Sequence, residues 1–395
     1  MRISTITSFS QSMDAMVRQQ SDFLKLGLQI SSGQRVLTPS EDPQSASAAV
    51  AMEQSLALNE QFSQARVSSR NLLSQEDNVL GSVSDVLSTA KSLLVQASNG
   101  TLNDADRISV ASELNGLYET LIGQANVTDG NGRYLFGGTK DKSAPFVRQD
   151  GHVVYVGDTG QPAQQVDSSR QIANGDHGEQ VFMTVHGSSG YLAKANPDNQ
   201  GNVTFSGPSM VSGTTAAFNV QFAVDGDAIT YSTDEGGSWQ AYTSGMSIES
   251  NGLLINLQGT PANGDSIDIV RASDSNPNIF RTIESTLAAL NAPAADAQAQ
   301  AQLKNLLSTS MRELDGALDN VLTTRASVGA RLNELDLLDK IGSNRELNYK
   351  QTLSDLVDLD YYEAISSYTM RIVGLQAAQK SFVDLQQLSL FNYMK

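Results

Sequence analysis

"LQISSGQRVLTPSEDPQSASAA", residues 28–49, interrupts a chain that reads as helix on both sides. Upstream, a three-four spacing visits Ile6, Phe9, Met13, Met16, Gln20, Phe23, Gly27 and Ile30, and six of these eight are apolar. That pattern is one helix with a narrow apolar seam. Gly33 supplies a C-cap and Pro39 a breaker, so the helix is expected to end ahead of the acidic pair Glu41-Asp42. Pro43 then suits the first turn of a second helix, where a missing N–H costs nothing. The stretch is a joint, and the chain beyond it has a different character.

From about Pro43 to Ser98 a long seam visits Phe62, Ala65, Ser69, Leu72, Glu76, Val79, Val83, Val86, Ala90, Leu93 and Ala97. Leu73, Leu80, Leu87 and Leu94 widen it at seven-residue intervals. A seam of that length favours coiled-coil-like packing. Asn99-Gly100 ends it, and Asn103 or Asp104 can cap a third helix through about Val127, burying Val110, Leu114, Leu117 and Leu121. At "TDGNGRYLFGG", residues 128–138, the pattern changes to β, and it stays so to about residue 276. "HVVYVG", "QVFMTVHG", "NVTFSG", "AFNVQFAVDGDAITYS", "GLLINLQG" and "SIDIVRA" read as strands, with Asp225-Gly226 offering a hairpin turn. This block reads as one compact antiparallel domain. Helix returns after "SNPN", first over Ile279, Ile283, Leu287 and Leu290. After Pro293 a long helix follows, with Leu303, Leu307, Leu314, Ala317, Val321, Val328, Leu335 and Leu338 on one face. A last amphipathic helix carries Ile365, Tyr368, Ile372, Leu375, Gln379 and Phe382. The expected fold is mainly α with an inserted β domain, a long coiled-coil-like bundle built from both chain ends.

Composition removes several classes of function. Of 395 residues 17% are charged, the net charge is −17, and the 26 Lys and Arg form no cluster. Sequence-general nucleic-acid binding needs a positive stripe that displaces counterions, and an anionic membrane surface needs the same. The chain has no cysteine, which excludes disulfides, thiolate metal sites and Cys nucleophiles. No apolar run approaches the roughly 18 residues of a membrane-spanning helix. "MRISTITSFSQSMDAM" lacks an apolar signal core and a small-residue cleavage site, so no cleaved signal peptide is expected.

No catalytic constellation stands out either. His152, His177 and His186 share no ligand-like spacing and read as surface or turn histidines. "DGNGRYLFGGTK" opens like a calcium loop but has Arg133 and Lys140 where the loop needs ligands. Ser88 to Lys91 spells S-x-x-K on a helix face without a pocket. No enzyme activity, cofactor or metal is expected. Asp355, Asp358, Asp360 and Glu363 leave two readings open: first-turn acids of the last helix, or a polar contact between stacked subunits. The two terminal helices carry the strongest signal, because a lone amphipathic helix is marginal until something covers its seam. That cover is either the other chain end or further copies of the protein. Its ordering is expected to accompany assembly.

Together these residues resemble the flagellin superfamily. Ser31, Ser32, Gly33, Arg35, Pro39, Glu41, Asp42 and Pro43 match its N-terminal motif, where a helix ends in a Leu-Ser-Ser-Gly-like turn followed by Arg and an acidic pair. "TRASVGARLNELD", then "SDLVDLDYYEA" with Asp358, Asp360 and Tyr361, resemble its C-terminal region. The resemblance covers about 1–140 and 277–395. "GRYLFGGTK", with Tyr134, Leu135, Phe136, Gly137 and Gly138, the two prolines around "SED", and the ending "LQQLSLFNYMK" resemble its hook-filament junction proteins more than filament flagellin. The resemblance implies an inner terminal-helix domain from 1–40 with 355–395, a helical rod from 41–140 with 277–354, and an outward β domain at 141–276. It also implies export by the flagellar type III apparatus with a chaperone, and an extracellular ring of identical subunits between hook-associated protein 1 and flagellin. A filament-forming flagellin is the alternative; a surface glycan-binding protein is one from another class.

Overall fold

The computed structural model describes residues 5–100, 102–185, 190–211, 213, 215–275 and 278–393, without the side chains of 5, 6, 8, 9 and 385–393. Helices α1 (Thr5–Ser32), α2 (Pro43–Ala97) and α3 (Asp104–Ala125) come first, and α5 (Ile279–Asn291), α6 (Ala297–Val357) and α7 (Tyr361–Tyr393) come last. The chain divides into two compact units, residues 1–64 with 338–395 and residues 65–337. The division falls inside α2 and α6.

In the larger unit, α2 and α6 are linked by ion pairs, and each carries a buried heptad row. On α2 an unbroken three-four row, Arg66, Ser69, Leu73, Glu76, Leu80, Val83, Leu87, Ala90, Leu94 and Ala97, is buried, with Val79 and Leu93 buried beside it. Leu73 and Leu80 have no exposed surface, and each such burial contributes about 1.5–3 kcal/mol. Of the expected seam, Ser69, Glu76, Val79, Val83, Ala90, Leu93 and Ala97 are buried, while Phe62, Ala65, Leu72 and Val86 are only half-buried. The leucine row assigned to its flank is buried as deeply as the seam itself. On α6, Leu307, Leu314, Val321, Val328 and Leu335 are buried as the spacing predicts. Arg325 and Lys91 pair with Asp77 and Asp315 across the helices, at 3.1 and 2.5 Å. Asn103 caps α3 in a reciprocal box with Asp106. Leu117 of α3, expected in the core, is half-buried, and Tyr118 is buried beside it.

The β block has two parts. Hairpins β1 (Phe146–Gln149)–β2 (His152–Tyr155) and β3 (Ala163–Asp167)–β4 (Arg170–Ala173) are separate two-stranded sheets. "QVFMTVHG", expected as a strand, instead begins in the last residues of the short helix α4 (Gly178–Phe182), capped by His177. Its Phe182 is needed elsewhere, in an aromatic cluster with Phe136, Phe146 and Phe280 at ring separations of 5.1–5.9 Å. Long-range aromatic packing overrides the local alternation there. The second part runs from β5 (Tyr191–Ala195) through β6 (Thr204–Met210), β7 (Phe218–Asp225), β8 (Ala228–Ser232), β9 (Gln240–Ala241), β10 (Ser247–Ser250) and β11 (Leu253–Gln258) to β12 (Ser266–Arg271). A five-stranded sheet, order β5-β12-β7-β8-β9, and a three-stranded one, β10-β11-β6, share one core around Phe205, Val220, Phe222, Ile255 and Ile269. The β7–β8 hairpin pairs Asp225 with Ala228, so Gly226 and Asp227 form its turn, Gly226 at φ 61°. Asn305 and Thr309 of α6 dock this part by hydrogen bonds to the backbone of Val203, Phe205 and Ala193 at 2.7–3.1 Å. So residues 146–182 pack on helices, and one compact β domain is confined to about 191–271.

Candidate functional site

The joint at residues 28–49 is built on backbone geometry. Gly33 closes α1 in the left-handed region at φ 73°, and its N–H donates to the Gln29 carbonyl at 2.9 Å. That conformation is costly for a side-chain-bearing residue, and a Cβ here would stand 2.9 Å from the Tyr361 hydroxyl. Pro39 takes no part in the stop; it lies six residues later, in the turn before α2. The chain then forms a short antiparallel bridge with the far end. Gln34 pairs with Asp358, the Arg35 N–H donates to Val357 at 2.7 Å, and Leu359 donates to Gly33 at 2.9 Å.

Side chains lock the bridge on both sides. The Arg35 guanidinium donates to the Leu356 carbonyl at 2.8 Å and to Ser45 at 3.3 Å, and approaches Asp42 at 3.5 Å. Asp42 caps α2 by accepting the Ser45 N–H at 3.0 Å, with Pro43 at the first helical position. The Ser45 hydroxyl and N–H hold the Asp42 carboxyl below its ordinary range. Glu41 accepts the Leu37 N–H at 3.1 Å and pairs with Lys25 at 3.1 Å, which likewise lowers its carboxyl. At the other end Asp360 accepts the N–H groups of Tyr362 and Glu363 at 2.9 and 3.2 Å, capping α7. Ser32 donates to the Gln29 carbonyl at 3.2 Å, and Ser31 is exposed.

Beyond the bridge, α1 and α7 run antiparallel. Phe23 stacks on Tyr368 with centroids 4.7 Å apart, and Asp22 pairs with Arg371 at 2.7 Å. Of the expected seam residues, Met16, Phe23, Ile30, Tyr368, Ile372, Leu375 and Phe382 are half-buried. Met13 and Ile365 are exposed, at 42% and 53%. Ala364 and Ala378 take the places on α7 expected for Ile365 and Gln379, a rotation of one residue. The side chains of Ile6 and Phe9 lie outside the described residues.

Spacing did not single out a second apolar stripe. Met13, Val17, Leu24 and Leu28 on α1, and Ile365, Met370 and Val373 on α7, all remain exposed. A four-seven-four interval from Met13 would have marked the first of these.

"YLFGG" lies in the larger unit. Tyr134 bridges Thr128, and Leu135 donates to Val127 at 3.0 Å. Phe136 is fully buried against Phe182, and its carbonyl accepts the Gly178 N–H at 2.9 Å. A Cβ on Gly137 would stand 2.7 Å from the Lys140 carbonyl, and one on Gly138, at φ 68°, would fall on Asp158 oxygens. The motif is a packed knot with no room for side chains at its glycines.

No catalytic or metal site emerges from the polar residues. Asp129, the candidate calcium ligand, accepts the N–H groups of Asn131 and Arg133 in its own turn. No group of three His, Cys, Asp or Glu could hold a metal among the described residues. His152 bonds Glu284 at 2.6 Å, and His186 lies outside the described residues. One buried cluster is electrostatically unusual. Glu76 accepts the Asp176 N–H at 3.0 Å, and its second oxygen has no partner among the described residues. Arg331 pairs with Asp176. Burial, then the Asp176 charge, push the Glu76 carboxyl up to about 8.

Paired chain ends joined by a capped bridge, and a heptad-patterned helical unit that carries a β insertion, make this a flagellin-type protein. Residues 3–141 match the family model for the bacterial flagellin N-terminal helical region. The chain is 35% identical to flagellar hook-associated protein 3 of Escherichia coli (strain K12) over 396 residues, covering 100% of both. It is 34% identical to the Salmonella typhimurium protein of that name, covering 99% of both. The crystal structure of Xanthomonas campestris FlgL superposes with a TM-score of 0.68 at 30% identity, covering 77% of this chain and 99% of that one. The chain belongs to the flagellar hook-associated protein 3 family, and it is a structural component of the bacterial flagellum, not an enzyme. Among the described residues no helix is long and apolar enough to cross a membrane.

Proposed function

We propose that the chain is the adaptor that joins the hook to the flagellin filament, assembling as a ring of identical subunits through its terminal helices. The observation that carries this is the outward apolar stripe of α1 and α7, with Leu24 at 57%, Leu28 at 61% and Met370 at 69% exposed. Apolar surface of that extent on two paired helices is free to bury against neighbours. Residues 1–40 with 355–395 act as the inner assembly domain, 41–140 with 277–354 as the rod, and 141–276 as the outward part. Hook-associated protein 1 is the partner on the hook side and flagellin on the filament side. Type III export, chaperone-assisted and with an uncleaved N-terminal signal, delivers the chain to this extracellular position. Electron microscopy of purified protein tests the reading: short rings or oligomers are expected, and long self-polymerised filaments would make it a filament flagellin instead. Deleting residues 1–30 is expected to abolish filament attachment to the hook in exported protein.

A further inference from the structure

The exposed Trp239 sits on a turn that holds it rigidly outward. It is the only tryptophan of the chain and is 45% exposed. Asp234 ties the turn by accepting the Ser232 hydroxyl at 2.6 Å, the Ser238 N–H at 2.8 Å and the Ser238 hydroxyl at 2.7 Å. The Ser232 oxygen in turn accepts the Gly236 N–H at 2.9 Å. Glu235, exposed in the same turn, is held at φ 56°, a conformation that L side chains adopt only when the surroundings impose it. The turn is therefore pre-organised, acidic and tipped with the side chain most enriched in binding hot spots.

A groove of complementary character lies at the opposite edge of the same sheet. Between the end of β5, α5 and α6 is a cavity of about 630 Å³ with apolar walls that include Pro197, Ala289, Pro293 and Leu306. Glu313 in it is matched by Lys194 at 3.1 Å and by the Thr282 hydroxyl at 2.7 Å. Arg281 lines the same groove, is exposed, and has no acidic partner among the described residues. The groove is thus apolar with one cation in excess, on a chain of net charge −17.

We propose that the Trp239 turn of one copy seats in the groove between α5 and α6 of a second copy, with Glu235 facing Arg281. The donor is a copy of this chain and not the same molecule. β9 and β5 are the two edges of the five-stranded sheet, four strand spacings or roughly 19 Å apart, with the sheet between them. A contact between opposite edges is head-to-tail, and such contacts close rings or extend filaments. It rests on the reading that copies of the chain assemble, but it uses a surface separate from the terminal helices.

The cysteine-free sequence makes the test clean. Full-length chains carrying Ala241→Cys and Ala289→Cys singly are mixed, concentrated and oxidised; Ala241 is exposed two residues from Trp239 and leaves the Asp234 bonds intact. A disulfide between the two variants is expected, since the proposed seating brings these positions within bridging reach. Adding Trp239→Ala to the first variant, or Arg281→Glu to the second, should lower its yield about tenfold or more. In unaltered protein, the emission of the single tryptophan should move to shorter wavelength as oligomers form. Absence of the mixed disulfide at every concentration, or oligomers with unmoved tryptophan emission, would overturn the proposal. Failure of the terminal-helix reading looks different: self-association would then be indifferent to Leu24→Glu.

Discussion

The two units use the same helical periodicity to opposite ends. In residues 65–337 the three-four rows of α2 and α6 are buried inside the unit, with Leu73, Leu80, Leu87 and Leu94 at 1% exposure or less. In residues 1–64 with 338–395, the buried apolar residues among those described are Ala49 and Ala364, while Val17, Leu28, Leu58, Leu347 and Val373 are at least half exposed. A heptad row reports that a helix has a partner; it does not say whether that partner is in the same chain. The first unit finds its partner internally. The second is held by backbone bridges and caps at the joint, and its larger apolar side chains remain exposed.

The contrast can be broken most forcefully in the larger unit. Leu80→Ala should cost about 3–5 kcal/mol in denaturant unfolding, because the cavity cannot collapse between two long helices. The same truncation at Leu24 should change monomer stability by less than about 0.5 kcal/mol and instead weaken assembly measured by sedimentation. If Leu24→Ala destabilises as Leu80→Ala does, the two units are not different in kind.

The buried acid gives a second handle. The Glu76 pKa is raised above its unfolded value of 4.5 to about 8. The folded state therefore holds a proton that the unfolded state releases, and stability is fully present below about pH 4.5 and lost as pH rises through 8. Its contribution should fall by about 1.4 kcal/mol per pH unit within that window. Glu76→Gln keeps an acceptor for the Asp176 N–H and should flatten this dependence. A slope unchanged by the substitution would mean that Glu76 is charged in the folded protein.

A smaller effect is expected at the joint. Gly33→Ala forces a side chain into a left-handed position against Tyr361, at a cost of about 1–2 kcal/mol. Because the strain is confined to the smaller unit, circular dichroism should show early loss of terminal helix while the main transition stays in place. A shift of the main transition by the full amount would tie the two units into one cooperative system.

Much of this architecture was legible because it is local. The ends of α2, the capping of α3 at Asn103, the β7–β8 hairpin and the joint at Gly33 each rest on residues within a few positions of one another. What spacing missed depends on the other side of the contact. Two parallel rows on α2 were both apolar enough to be its seam, and only long-range packing decides that Leu73 and Leu80 are fully buried while Phe62 is half-buried. On α7 the choice between Ile365 and Ala364 depends on how closely α1 approaches, and a small residue allows the closer approach. Phe182 sits in an alternating stretch, yet the ring cluster with Phe136, Phe146 and Phe280 draws it into a helical turn. The burial of Glu76 had no signature beyond one acid in an apolar row.

The central claim is that the terminal helices of a single chain are thinly covered and are completed by neighbouring copies. Amide hydrogen exchange tests it most directly, on dilute protein and on assembled protein. In dilute protein, amides of residues 5–32 and 361–382 should exchange far faster than those of 66–97 and 301–337, and proteolysis should trim both ends and leave a resistant middle. Assembly should then bring the terminal segments to comparable protection. Full protection of both terminal helices in dilute monomer, unchanged on assembly, would contradict the account.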